Sequence, residues 1–285
     1  MKRLPAPAQK VLSRDDLQQV CDFLYQQTGM LFGESKRYYI ERRVTDRVLT
    51  TGAASFAVYF DRLRSNPAER EKLINAFTVN ETYFYREEHQ LACLGRSLLP
   101  DLITSRRPGD KIRIWSAPCS TGEEPYSIAI WLLENWRLVD AYHIEIVGSD
   151  IDTQALEAAR QGRYGERALS RLSPDLLEAY FEPAQYQYWQ ILHDLRESVT
   201  FSHANLIDRA SLAPQGTFDV IFCRNVLIYF DDEARLLAAD NLYDRLKPGG
   251  YLCLGHSEAM SRISGRFTTR RFEDAIVYQR PRDIP

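Results

Sequence analysis

The chain has 285 residues, of which 45% are hydrophobic and 26% charged, and its formal net charge is −3 at pH 7. This composition is typical of a soluble globular protein with one large or two ordinary domains. No apolar run approaches the ~18 residues of a membrane span, so the sequence argues against membrane insertion. The polar start MKRLPAPAQK argues against a secretory signal. The five cysteines are scattered without a C-x-x-C pair or a Cys/His cluster, so we expect no disulfide framework, no metal site and a cytoplasmic location.

Residues 1–78 are predicted to form a small all-α domain. Helical patterns occur at SRDDLQQVCDFLYQQTG, ESKRYYIERRVTDRVLTTG, SFAVYFDRLRSNP and AEREKLINAFTVN, the first with Ser13 as N-cap and Gly29 as its end. The first 80 residues carry 13 Lys and Arg against 9 Asp and Glu, whereas the remainder carries 23 against 30. This asymmetry indicates that the two parts contact different partners.

Short apolar runs alternate with helical patterns from residue 108 to residue 285. The runs are KIRIWSA, HIEIVGSD, VTFSHANL, FDVIFCRN, GYLCLGHSE and DAIVYQR. Strands that alternate with helices predict an α/β domain with a mostly parallel sheet covered on both faces. Residues 79–107 are interpreted as a connecting segment, and the region around 180–200 as a small inserted β-subdomain with hairpin character.

The stretch SAPCSTGEEPYS, residues 116–127, joins the first strand of this domain to its first helix, where an open α/β sheet binds its ligand. The turn lacks the G-x-G-x-x-G fingerprint, and the charges of Glu123 and Glu124 would repel a phosphate at the helix N-terminus. S-adenosylmethionine (SAM) has no phosphate and carries ammonium and sulfonium centres, so it is the predicted cofactor. Asp150 ends the second strand, where an acid accepts hydrogen bonds from ribose hydroxyls, although an aspartate there equally serves as a helix N-cap.

Two later stretches agree with this cofactor. FDVIFCRNVLIYF is a buried strand whose carboxyl end brings Arg224, Asn225 and Tyr229 into the crevice. LKPGGYLCLGHSE has the helix end, Pro-Gly-Gly turn and strand that are typical of the late part of such methyltransferases. The expected fold is therefore a Rossmann-like class I SAM-dependent methyltransferase domain preceded by the small all-α domain.

Five stretches together resemble one family, the chemotaxis receptor methyltransferases or CheR family. They are NETYFYRE (80–87), STGEEPYSIAI (120–130), SDID (149–152), FDVIFCRNVLIYF (218–230) and GHSE (255–258). The resemblance covers nearly the whole chain. It implies an enzyme that transfers a methyl group from SAM to glutamate side chains on cytoplasmic receptor helices, which yields glutamyl methyl esters and S-adenosylhomocysteine.

The resemblance also implies roles for individual residues. The family's cofactor contacts fall on Asn80, Thr82, Arg86, Glu124, Asp150, Asn205, Leu206, Arg224 and Asn225. Arg86 and Tyr229 resemble residues near the transferred methyl, although Arg86 taken alone reads as a surface arginine. A glutamate acceptor is already ionised at neutral pH because its pKa is about 4.3, so the reaction needs no general base. We therefore expect Arg86 and Tyr229 to orient the acceptor carboxylate.

The second predicted helix carries a line of basic residues beside an apolar stripe. The line is Lys36, Arg43 and Arg47, and the stripe is Ile40, Val44 and Val48. Charge on a helix is most often a solvated face. With the family resemblance, we interpret the line as a docking surface for acidic receptor helices, where charge mainly aids encounter and register.

Some family members grip a pentapeptide at the receptor C-terminus with a glycine-rich loop in the β-subdomain. The corresponding stretch here, FEPAQYQYWQILHD, has no glycine. Because a loop with positive φ is difficult to build without glycine, we expect an enzyme that does not depend on such a tether.

Two other functions compete with this interpretation. The basic N-terminal part would suit a nucleic-acid methyltransferase, but the overall acidic charge and the absence of an N-P-P-[YFW] motif where CRNVLIYF stands oppose it. A non-catalytic module that senses SAM and binds partners would share most of the cofactor-binding residues, and turnover would distinguish it.

Overall fold

The computed structural model describes residues 12–282, and it separates into two compact units at the bond between Thr78 and Val79. The first unit contains the four predicted helices, α1 (Arg14–Thr28), α2 (Arg37–Thr51), α3 (Phe56–Ser65) and α4 (Pro67–Phe77). Across the described residues, none of the helices combines the length and apolar character that a membrane crossing requires.

Local chemistry sets the ends of α1 where the sequence predicted them. The Ser13 hydroxyl accepts the Asp16 N–H at 3.1 Å, and the Asp16 carboxylate accepts the Ser13 N–H at 3.0 Å, which forms a capping box. Gly29 ends the helix in the left-handed conformation, with φ 72°. The apolar face between these caps is buried in the core of the unit.

The second unit is built on a larger set of strands and helices. Its strands are β1 (Lys111–Ser116), β2 (His143–Asp150), β3 (Arg163–Tyr164), β4 (Phe181–Pro183), β5 (Trp189–Ile191), β6 (Val199–His203), β7 (Phe218–Cys223), β8 (Leu246–Leu254), β9 (Thr268–Arg271) and β10 (Ile276–Gln279). Its helices are α5 (Glu88–Cys93), α6 (Leu99–Ile103), α7 (Glu123–Asn135), α8 (Thr153–Gln161), α9 (Glu166–Leu169), α10 (Pro174–Tyr180), α11 (His193–Glu197), α12 (Arg209–Leu212) and α13 (Asp232–Arg245). A π-helical turn, Leu94–Leu98, joins α5 to α6.

The main sheet has the order β6-β2-β1-β7-β8-β10-β9. The first five strands are parallel, and β10 is antiparallel to both of its neighbours. The sequence did not reveal β9, because its residues, TTRR, are polar and lie at the sheet edge. The chain moves outward from β1 to β2 and β6 and then returns to β7, so the loops after β1 and β7 flank the switch point where such sheets bind ligands.

The predicted inserted subdomain is present as a small antiparallel sheet of order β3-β5-β4. It begins earlier than the predicted range of 180–200 because it recruits β3. Its hairpin loop contradicts one physical expectation: Tyr186 and Gln187 both adopt positive φ, 61° and 60°, in a loop that has no glycine. A left-handed loop is therefore built here with ordinary side chains, and Tyr186 is 85% exposed.

Candidate cofactor and active site

An open cavity lies at the switch point of the main sheet. Its wall is formed by three segments: residues 79–91, the turn between β1 and α7, and the loop after β7. The predicted site residues that line it are Thr82, Arg86, Glu124, Arg224, Asn225 and Tyr229. The fold thus brings together side chains that are up to 147 positions apart in the sequence.

Arg224 lines the cavity, although its side chain is only 3% exposed. Its Nη1 lies 3.0 Å from Glu124 Oε2, and its Nη2 donates to the Arg86 carbonyl at 2.6 Å and lies 3.6 Å from Glu87 Oε2. Its Nε is buried and has no hydrogen-bond partner among the described residues. A buried donor without a partner costs about 1–3 kcal/mol, so an acceptor atom on a ligand in this cavity fits the site.

The two carboxylates beside Arg224 respond differently to their surroundings. Burial raises the pKa of Glu124, against the opposing effects of Arg224 and of the Ser116 hydroxyl, which donates to Glu124 Oε1 at 2.8 Å. Burial alone would also raise the pKa of Glu87, but Arg224 and His256 lower it overall. The lining carries two carboxylates, Glu81 and Glu124, and two guanidinium groups, Arg86 and Arg224, so it suits a ligand that, like SAM, has both positive centres and a carboxylate.

The adjacent Glu123 does not share this role. It is buried below the β1–α7 turn, where its Oε2 accepts the Thr121 hydroxyl at 2.6 Å. Burial raises the pKa of Glu123 to about 7. The sequence predicts both glutamates to be charges at the helix N-terminus, whereas in the structure only Glu124 of the two lines the cavity.

Strained backbone surrounds the cavity. Tyr85, Glu87, Ser120 and Asn225 adopt positive φ, between 49° and 60°, although none of them is glycine. Left-handed residues of this kind cost free energy and concentrate at functional sites. Two of them flank Arg86, so its position is fixed by a backbone geometry that could not be read from the sequence. Glu87 was missed as a site residue for the same reason, although it lies within the NETYFYRE stretch.

Asp150 and Asn80 lie behind the cavity wall and reach it through Ser120. The Asp150 carboxylate accepts the N–H groups of Ser120 and Asp152, at 2.7 and 2.9 Å. Burial raises the pKa of Asp150 to about 6. The Ser120 hydroxyl donates to Asn80 Oδ1 at 3.0 Å, and the Asn80 amide donates to Asp152 at 2.7 Å. These polar side chains therefore organise the loop after β1.

Asn205 and Leu206 lie outside the residues that line the cavity. Asn205 Oδ1 accepts the Ile207 N–H at 3.2 Å, and the Leu206 carbonyl accepts the Asn241 amide at 2.8 Å. They follow β6, which pairs with β2 up to Asp150. Their predicted contact with the adenine remains a prediction from the family resemblance.

The three predicted docking residues of the first unit have different surroundings. Lys36 is exposed at the start of α2. The Arg43 guanidinium stacks on the Tyr39 ring, 3.4 Å from its centroid, while its Nε donates to the carbonyl of Ala76. The side chains of Lys36 and Arg43 are both at least partly open to solvent.

Arg47, in contrast, is mostly buried, with 18% of its side chain exposed. Its Nε and Nη2 bond to the two carboxylate oxygens of Glu69, at 2.9 and 2.6 Å, and Glu69 is 4% exposed. The Tyr59 hydroxyl donates to the same carboxylate at 3.1 Å. The ion pair with Glu69 makes Arg47 less available for docking than Lys36 or Arg43, and its docking role stays a prediction.

Comparison with known proteins agrees with this arrangement. The family model described as "CheR methyltransferase, all-alpha domain" matches residues 15–78, and "CheR methyltransferase, SAM binding domain" matches residues 80–276. "Chemotaxis protein methyltransferase 2" of Vibrio cholerae is 46% identical, with 95% of this chain and 94% of the relative covered. "Chemotaxis protein methyltransferase Cher2" of Pseudomonas putida is 33% identical, with 93% and 97% covered. The chain belongs to the CheR methyltransferase family and is an enzyme of SAM-dependent methylation in chemotaxis.

Proposed function

We propose that this enzyme methylates glutamate side chains on the cytoplasmic helices of chemoreceptors, and that it does so in the cytoplasm. The observation that carries the proposal is the composition of one cavity. Glu124 and the buried Arg224 form an ion pair in its lining, and the partly exposed Arg86 and the 37%-exposed Tyr229 line it as well. A carboxylate beside a guanidinium suits the ammonium and carboxylate of the cofactor's methionine part, and a second guanidinium with a phenol suits an incoming carboxylate.

The residues divide into two groups in the proposed mechanism. Glu124, Arg224 and Asn225 would hold the methionine part of SAM, and Asp150 its ribose. Bound SAM supplies an electrophilic methyl group on its sulfonium centre. Arg86 and Tyr229 would hold the acceptor carboxylate in line with that methyl group. Such positioning is worth roughly 7–11 kcal/mol in favourable intramolecular systems, and an ionised carboxylate needs no base.

The proposal is tested by methyl transfer from methyl-labelled SAM to receptor cytoplasmic fragments. We expect label that base releases as methanol, because carboxyl methyl esters hydrolyse under these conditions. A fragment whose acceptor glutamates are replaced by alanine is the control. Absence of base-labile label from several receptors, with binding of S-adenosylhomocysteine confirmed by calorimetry, would contradict the proposal.

Arg86→Ala tests the proposed orienting role. We expect at least a hundredfold loss of kcat at saturating SAM, because the acceptor carboxylate loses its fixed cation. Arg86→Lys should recover part of the rate, since it restores the charge without the planar fork. Methyl transfer by Arg86→Ala at the wild-type rate would remove Arg86 from the mechanism.

Two basic residues of the first unit, the exposed Lys36 and the partly exposed Arg43, support receptor docking. They are the more available residues of the predicted line, and acidic receptor helices are the expected partner. The positive charges of Lys36 and Arg43 would favour the encounter with such a partner, and salt would weaken this attraction.

Independence from a receptor-tail tether also stays part of the proposal. Its support is now the side chains of the β4–β5 loop: Tyr186 and Tyr188 are exposed where a glycine loop would offer bare backbone. Calorimetry with a receptor-tail pentapeptide should show no binding. Tight binding would contradict this part of the proposal alone.

A further inference from the structure

The loop after β7 presents three consecutive backbone N–H groups to a single carboxylate. The carboxylate of Glu258 accepts the N–H of Asn225 on Oε2 at 2.8 Å, and those of Val226 and Leu227 on Oε1 at 3.0 and 2.8 Å. Its Oε2 also accepts the N–H of Gly255 at 2.8 Å. Four charge-assisted hydrogen bonds therefore converge on one side chain.

The backbone conformation explains this convergence. Asn225 has φ 60°, and Val226 follows with φ −121° and ψ −38°. A left-handed residue next to a right-handed one turns successive N–H groups toward a common point, which forms an anion-binding nest. Asparagine tolerates this conformation better than most residues. Here the nest holds an anion that belongs to the protein itself.

The neighbouring strands bring this anion to the nest. β7 and β8 are parallel neighbours, with Cys223 opposite Leu254, so the segments that follow them lie side by side. Gly255 permits the close approach: a Cβ there would lie 2.7 Å from Asn225 Nδ2 and 2.8 Å from Glu258 Oε2. The glycine and the glutamate of the GHSE stretch thus act on the same loop.

We propose that Glu258 is a positioning residue for methyl transfer, because it fixes the loop that carries Asn225 and Tyr229 at the cavity. The Tyr229 N–H donates to the Val226 carbonyl at 3.0 Å, so the place of Tyr229 depends on a residue that Glu258 holds. This role of Tyr229 in catalysis rests on the proposed function. The cofactor side of the loop, at Asn225, does not depend on the choice of methyl acceptor.

Glu258→Gln is the first test. An amide offers one acceptor oxygen, so in either orientation two of the four N–H groups face an NH₂ group. We expect kcat at saturating SAM to fall at least tenfold and the Kd of S-adenosylhomocysteine to rise three- to tenfold, both measured well below the thermal midpoint. Glu197→Gln makes the same change at an exposed side chain of the same unit and should leave both values at the wild-type level. Wild-type kcat and Kd in Glu258→Gln would overturn the proposal.

Glu258→Ala with added formate separates positioning from general stabilisation. The alanine variant empties the nest, and formate, a small carboxylate, can enter it and accept the freed N–H groups. We expect added formate to raise the kcat of the alanine variant and its affinity for S-adenosylhomocysteine at least fivefold. Chloride at equal ionic strength should raise neither. A loss that formate does not restore would overturn the proposal. Should the wild-type enzyme fail to methylate receptors, the affinity measurement would still decide the role of Glu258.

Discussion

Two buried arginine–glutamate pairs, one in each unit, differ in how completely their polar atoms are satisfied. Arg47 forms a two-point contact with Glu69, and Tyr59 donates a further hydrogen bond to that carboxylate. Arg224 is more deeply buried, with 3% of its side chain exposed against 18% for Arg47, yet its Nε has no hydrogen-bond partner among the described residues. A closed pair stabilises its own unit, whereas the open pair lines a cavity and has one donor that remains unsatisfied within the described part of the chain.

The backbone around the two pairs differs in the same sense. Arg47 and Glu69 lie within the regular helices α2 and α4. Arg224 contacts Glu87 and is followed by Asn225, and both of these neighbours are left-handed. Strain of this kind persists only where the surrounding structure holds it in place. Unsatisfied donors and strained backbone together, rather than burial or charge alone, distinguish the functional pair from the structural one.

Breaking the closed pair should have the largest effect on stability. We expect Arg47→Ala to lower the free energy of unfolding of the helical unit by about 3–5 kcal/mol, because Glu69 is left buried without its cation. Denaturant titration followed by circular dichroism measures this change. Arg64→Ala removes an exposed arginine of the same unit and should change the free energy by less than about 0.5 kcal/mol. A loss below about 1 kcal/mol for Arg47→Ala would show that the pair is not structural.

Arg224→Lys tests the open pair. The lysine keeps the charge but loses the planar fork that reaches Glu124, the Arg86 carbonyl and the cavity together. We expect S-adenosylhomocysteine to bind about 30- to 150-fold more weakly in calorimetry, which corresponds to about 2–3 kcal/mol for hydrogen bonds to a charged group. Arg47→Lys is the matched control and should bind it with wild-type affinity. If Arg224→Lys bound S-adenosylhomocysteine with unchanged affinity, the ligand would not depend on the open pair.

The sequence predicted the four helices, the parallel sheet and the SAM-binding edge because their signals are local. Ser13, Gly29 and the alternation of apolar runs each act within one element or between neighbours in the chain. The partner of Arg47 lies 22 positions away, in another helix, so a line of basic residues on α2 could not show that one of them points inward. The left-handed Glu87 and Asn225 escaped prediction because only tertiary contacts impose that conformation on residues other than glycine.

A third glutamate that burial affects, Glu123, has a hydroxyl as its hydrogen-bond partner instead of a guanidinium, and burial raises its pKa. Its folded-state pKa of about 7 lies above the unfolded value of about 4.3, so the folded state binds this proton more tightly. The resulting contribution to stability is complete below about pH 4 and is lost as the pH rises to about 7. We therefore expect Glu123→Gln to match the wild type near pH 4 and to exceed it by about 3–4 kcal/mol at pH 8, since each pKa unit corresponds to about 1.36 kcal/mol. Calorimetric unfolding from pH 5 to pH 8 measures the difference, and a gap that does not grow with pH would contradict the assignment.

Lys36→Glu should have the smallest effect and tests the exposed end of the line that contains Arg47. An exposed charge at a docking rim changes encounter more than folding, so we expect kcat/KM for a receptor fragment to fall two- to fivefold at low salt. The deficit should shrink toward 0.5 M NaCl because salt screens exposed charges. Cofactor affinity and thermal stability should stay at wild-type values, and Arg64→Glu, a charge reversal on α3, is the control. A salt-independent deficit would mean that Lys36 does not act through its exposed charge and that α2 does not dock receptors through this line.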